Sequence, residues 1–151
     1  MNVINKIKNM GHIPNKNRTY DEFIKNVESH HKYEILSSKK AELYFKTTLK
    51  SFNETKDYDI LLENCLKIEV KYLGTFDEYD TVNIECFRNN KPSGVLTTKS
   101  DYYIVTNGKI YYLIKTDELL KICEFCEIKK LKYSFCYIIP KKLFIASSLV
   151  I

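Results

Sequence analysis

The stretch Tyr58-Asp59-Ile60-Leu61-Leu62-Glu63-Asn64-Cys65-Leu66-Lys67-Ile68-Glu69-Val70-Lys71-Tyr72-Leu73 decides how the rest of the chain is read. Two short apolar runs, 58–62 and 66–73, flank Glu63-Asn64, a pattern that predicts two strands joined as a hairpin. Side chains alternate along a strand, so Glu69 and Lys71 leave one face of the sheet while Ile68 and Val70 enter core on the other. Asp59 precedes Glu69 at hairpin spacing, which returns the second strand alongside the first. One face therefore offers two carboxylates and one ammonium as neighbours. Adjacent acids repel unless a cation lies between them, and a set of oxygen donors suits Mg²⁺, with Mn²⁺ as a substitute. The Val70 carbonyl adds another oxygen. A lysine beside the metal would orient or deprotonate an attacking water and offset charge on a phosphate. Together these groups form equipment for hydrolysing a phosphodiester. The competing reading of Glu69-Val70-Lys71 is a solvated ion pair on a sheet surface. Asp57 shares the parity of Asp59 and is an alternative ligand, although Asp59 sits deeper in the apolar run.

Upstream, Asp21 or Thr19 can cap a helix over 21–32 with Phe23, Ile24 and Val27 as its apolar stripe. Ser37 or Ser38 can cap a second helix running to Asn53, with Ala41, Leu43, Tyr44, Phe45, Leu49 and Phe52 near helical spacing. Glu42 on that helix reaches the carboxylate site if the helix packs over the strand edge. Downstream, 81–87 predicts a strand and 89–94 a loop. Strands 101–106 and 109–115 flank Asn107-Gly108, which supplies the positive φ angles of a tight hairpin turn. Thr116 caps a helix over 117–125, with Asp117 and Glu118 in its first turn, and 133–139 and 143–150 read as late strands. The order predicts one mixed α/β or α+β domain over 19–151, preceded by a basic arm over 1–18.

Length and composition agree. The chain has 151 residues, 44% of them hydrophobic, enough for one core without disulfide staples. Only 4 Gly and 3 Pro exclude collagen and low-complexity disorder. No apolar run is long enough for a membrane span, and Pro140-Lys141-Lys142 breaks the nearest approach. An odd count of 5 cysteines and the lack of a signal-like start predict reduced thiols in an intracellular compartment. Cys123 and Cys126 lack partners at zinc spacing and read as core residues. His30 and His31 read as surface residues.

Charge is uneven. Residues 1–18 carry Lys6, Lys8, Lys16 and Arg18 without an acid. Residues 128–151 carry Lys129, Lys130, Lys132, Lys141 and Lys142, also without one. Since the whole chain is +5, the middle is net acidic. Basic ends around an acidic centre suit a polyanion held by the ends, and the five C-terminal lysines become candidate nucleic-acid contacts.

Glu42, Asp59 and Glu69-Val70-Lys71 resemble the PD-(D/E)XK nuclease superfamily. Val82-Asn83-Ile84-Glu85, Lys91-Pro92-Ser93-Gly94-Val95 and Thr97-Thr98-Lys99-Ser100-Asp101-Tyr102-Tyr103-Ile104-Val105 resemble its small phage-type, Holliday-junction-resolvase-like members. Departures are Tyr58, where the superfamily name puts a proline, and Ser100, where the phage-type pattern has Ala. The resemblance spans about 40–120. It implies a restriction-endonuclease-like mixed sheet flanked by helices, Mg²⁺-dependent DNA cleavage with junction resolution as one form, and a homodimer. By position it makes Asp59 and Glu69 metal ligands, Lys71 the catalytic lysine and Glu42 the helix carboxylate. Glu85, Ser93 and Lys99 become supporting or phosphate-contacting residues. A module of the same fold that binds nucleic acid without turnover, and a protein-interaction domain, are the alternative readings.

Overall fold

The computed structural model describes residues 2–11, 20–53 and 57–151; for residues 20, 23, 24, 26 and 27 it describes the backbone alone. The elements are α1 (Val3–Asn9), α2 (Tyr20–Phe45), β1 (Leu49–Phe52), β2 (Ile60–Leu62), β3 (Lys67–Tyr72), β4 (Thr81–Arg88), β5 (Lys91–Pro92), β6 (Tyr102–Thr106), β7 (Tyr111–Lys115), α3 (Thr116–Cys123), β8 (Ile128–Lys130), β9 (Ser134–Pro140), α4 (Lys141–Ala146) and β10 (Leu149–Val150). A short 3₁₀ turn, Gly94–Leu96, follows β5. The chain is an α+β fold.

Six strands form a mixed sheet in the order β1-β2-β3-β6-β7-β10. Among the described residues only β3 and β6 run parallel, with Glu69 beside Tyr103 and Lys71 beside Val105. The crossover between them passes through β4, β5 and the 3₁₀ turn. Those strands belong to a second, antiparallel sheet in the order β5-β4-β9-β8. Alternation divides the core accordingly. Ile60, Leu62, Ile68, Ile104 and Leu113 pack with Ala41 of α2 on one face of the six-stranded sheet. Tyr103, Val105, Tyr112 and Ile114 on the other face join Val82, Ile84, Phe135, Tyr137 and Ile139 of the second sheet. The sheet is thus mixed, as expected, and flanked by a helix on one side and mainly by strands on the other.

Four boundaries differ from the sequence reading. The two expected helices over 21–32 and 37–53 are one helix, α2, because Ser37 and Ser38 are buried in its interior. The Ser38 hydroxyl donates to the Ile35 carbonyl (2.7 Å) instead of capping a new start. The helix stops at Lys46, which takes φ +53, and 49–52 becomes an edge strand. Residues 143–150 are α4 followed by the two-residue β10 rather than one strand, since a continuous apolar run carries no period to separate the two. Within the expected irregular arm, Val3–Asn9 is helical, capped by Asn2, and Ile7 is fully buried in the core. Residues 12–18 of that arm, Thr19, and the side chains of Phe23, Ile24 and Val27 lie outside what is described.

Elsewhere the agreement is close. Asn107-Gly108 does join β6 to β7, with Gly108 at φ +90, but the loop spans 107–110 because the Asn107 side chain accepts from the N–H groups of Lys109 and Ile110. Asn89 and Asn90, expected as loop, both take positive φ and form the two-residue turn between β4 and β5. All five cysteines are free thiols. Cys123 is buried, and burial pushes its thiol up to about 12, as expected of a packing residue. Among the described residues no helix is long and apolar enough to cross a membrane.

Candidate active site

β2 begins at Ile60, while its partner β3 continues past the shared register to Tyr72. The two strands therefore part just before Ile60, leaving the edge of β3 open from Val70 onward. Asp59 stands at this fork. Its N–H donates to the Ile68 carbonyl (3.0 Å), and its Oδ2 accepts from the Val70 N–H (2.7 Å). In a ladder the N–H and C=O of one residue point to the same side. Ile68 and Val70 point to the β2 side, whereas the Lys67 carbonyl and the Leu73 N–H bond with Asp101 and Thr106 on the β6 side. The Val70 carbonyl therefore opens on the free edge, alongside Asp59.

Asp59, Glu69, Val70 and Lys71 line one cleft of about 260 Å³. Burial is the largest influence on both acids. It raises Asp59 to about 6, against a lowering by the Val70 N–H. It raises Glu69 to about 8, with the Asp59 charge next in importance. Lys71 lowers both without cancelling these effects. Tyr103, 4% exposed and beside Glu69 in the sheet, lines a smaller cavity with it. The Tyr103 phenol is pushed up by burial and by the Glu69 charge, against a lowering by Thr98. Glu69 Oε2 is buried without a hydrogen-bond partner among the described residues. Lys71 forms no ion pair with any described carboxylate, unlike Lys99 or Arg88.

Glu42 does not join this group. It lies in the last turn of α2, where its Oε2 accepts from the Leu49 N–H (3.1 Å) and its carbonyl from the Thr47 N–H, closing the turn into β1. The helix carboxylate at the cleft is Glu34, eight residues or about 12 Å nearer the helix start. Its charge raises both acids, and its Oε2 meets His31 Nδ1 at 3.2 Å. The sequence reading missed Glu34 because it broke the helix at Ser37. A continuous helix would have offered Glu34 as readily as Glu42. His30, an exposed residue as expected, also lines the cleft, with Tyr33 and Tyr72. The two tyrosine rings stack at 3.8 Å, fixing α2 against the open end of β3.

Asp57, the alternative ligand, does not line the cleft. Asp57 pairs with Lys99 (3.5 Å), and its carbonyl accepts from the Lys99 N–H and the Thr98 hydroxyl, away from the fork. Lys99 is thereby taken by a solvent-exposed ion pair. Glu85 and Ser93 come together: Glu85 accepts from Arg88 Nε (2.6 Å) and from the Ser93 hydroxyl (3.0 Å). Gly94, at φ +54, allows this, because a Cβ there would collide with the Glu85 carbonyl. Glu85 also lines the smaller cavity with Glu69 and Lys71. The five C-terminal lysines do not form one row. Lys129 and Lys130 leave opposite faces of β8, Lys132 lies over Tyr133 and Lys142 is exposed. Lys141 donates to the Phe76 carbonyl (3.0 Å) and covers the Phe76 ring, a structural use of its charge.

Among the described residues no group of three or more His, Cys, Asp or Glu side chains is arranged to hold a metal ion. The donors at the fork are two carboxylates and a backbone carbonyl. This set fits Mg²⁺, which is commonly held by one or two carboxylates and otherwise keeps water or substrate oxygens. The unpartnered Glu69 oxygen and the two raised acids mark a place where a cation would relieve both burial and repulsion. No protein-family model, curated protein or solved structure matches the chain.

Proposed function

We propose that the chain is a Mg²⁺-dependent DNA endonuclease of the PD-(D/E)XK kind, with branched DNA among its substrates. The observation carrying this reading is the half-buried Asp59–Glu69 pair at the strand fork, where among the described residues one Glu69 oxygen has no partner and Lys71 forms no ion pair. A purely structural ion pair would have closed on itself, as Glu85 does with Arg88.

Asp59 and Glu69, with the Val70 carbonyl, would hold Mg²⁺, which when bound supplies charge neutralisation at the phosphate. Asp59 is fixed for this by the Val70 N–H, so little reorganisation is needed. Lys71 offsets the negative charge that builds up on the phosphate and orients the water that attacks it. Glu34, held by His31, adds a further acceptor at the cleft wall.

The test is cleavage of plasmid and four-way-junction DNA by the wild type, Lys71→Ala and Glu69→Gln, with Mg²⁺ and then Mn²⁺. Wild type is expected to cut, and each variant to lose about a hundredfold or more. DNA binding unchanged by Glu69→Gln, with no cutting in either metal, would replace this reading with a nucleic-acid-binding module that lacks turnover.

A further inference from the structure

We propose a nucleotide-binding site elsewhere on the molecule, on the second sheet, that takes one base by stacking on Tyr79 and its phosphate at Lys129. A cavity of about 300 Å³ lies there, at the lower end of the size range of ligand sites. Thr81 and Asn83 of β4 alternate with core-facing Val82 and Ile84, so they leave the opposite side of the sheet. Ile138 pairs with Asn83, and Lys129 pairs with Cys136, which adds both to the same side. The turn between β3 and β4 supplies the wall.

Two aromatic rings border the cavity, and they differ. Phe76 is already stacked on Tyr112 and covered by Lys141. Tyr79 is 61% exposed, leaving its ring face to an incoming base. Thr81 and Asn83 contact each other only loosely (3.5 Å), so their polar atoms remain to read a base edge. Among the described residues Lys129 is the one charged side chain lining the cavity. Of the acids beside Tyr79 in the turn, Asp77 is engaged by the Asn107 amide, and neither Glu78 nor Asp80 lines the cavity. An aromatic face, amide and hydroxyl groups, an apolar floor and one cation match a nucleotide, either free or within a strand.

Calorimetric titration without divalent cations tests the site independently of whether the carboxylate fork cuts DNA. The probes are thymidine and guanosine monophosphates, an oligothymidylate, and inorganic phosphate as control. Wild type should bind the oligonucleotide more tightly than phosphate. Tyr79→Ala should weaken that binding on the order of tenfold. Lys129→Ala should lower the salt dependence by about one unit of slope. Both substitutions are at exposed positions, and an unchanged melting temperature confirms the fold. Loss for the monophosphates as well as the oligonucleotide identifies a free-nucleotide site. Loss for the oligonucleotide alone identifies a strand contact. Binding that neither substitution alters, or no nucleotide binding at all, overturns the proposal.

Discussion

Glu69 and Glu85 line the same small cavity, and the two acids are finished in opposite ways. Glu85 is closed by partners of its own: Arg88 on one oxygen and Ser93 on the other. Glu69, beside Asp59 at the fork of β2 and β3, has one buried oxygen with no hydrogen-bond partner among the described residues, and burial and the Asp59 charge raise it. A buried charge without a partner costs stability, and a hydrogen-bonded partner offsets part of that cost. The protein therefore tolerates at the fork a strain that it removes a few residues away. That contrast is the physical content of the proposed site, and measurements on the two clusters can break it.

The largest effect is the loss of cleavage in Lys71→Ala and Glu69→Gln, against at most a severalfold loss in Ser93→Ala, whose hydroxyl is taken by Glu85. Equal losses in all three would erase the distinction. Next comes pH. Asp59 and Glu69 are raised from 3.8 and 4.5 to about 6 and about 8 in the folded state. Between these limits the folded chain binds protons that the unfolded chain has released. Their contribution to stability is thus whole below about pH 4 and falls as pH rises through about 8. Glu69→Gln should remove most of that slope and stabilise the metal-free protein at high pH by on the order of 2 kcal/mol, read from urea melts at several pH values. Mg²⁺ at alkaline pH should raise the wild-type melting temperature and leave that of Glu69→Gln in place.

Smaller effects belong to the closed pairs. Glu85→Ala strands Arg88 and Ser93 and should cost about 1 kcal/mol, read from urea melts. Lys99→Ala, breaking a pair whose side chains are 68% and 44% exposed, should change stability by less than about 0.5 kcal/mol. A Lys99 variant that lost cleavage as Lys71→Ala does would move Lys99 from the loop ion pair to the phosphate.

Much of this arrangement was legible in the chain. Alternation around Ile68 and Val70 assigned Glu69 and Lys71 to one face, and the hairpin spacing brought Asp59 beside them, because a strand's side-chain period is set by covalent geometry. Asn107-Gly108 and the acid-led helix after Lys115 were equally local. Less was legible where two local solutions compete. Serines 37 and 38 suit a cap or a helix interior, and packing against the sheet chose the interior. The run 143–150 suits strand or helix, and docking of Phe144 in the core chose a helix for its first part.

By itself, then, the sequence determined the ribbon that carries Asp59, Glu69 and Lys71, since neighbours along a chain obey backbone periodicity. Tertiary structure alone decided which helix acid, Glu34 or Glu42, meets that ribbon, that Asp57 turns to Lys99, and that a second sheet covers the far face. Those outcomes depend on where a distant segment comes to rest, and desolvation, which sets the charge state of the fork, exists only once it has done so.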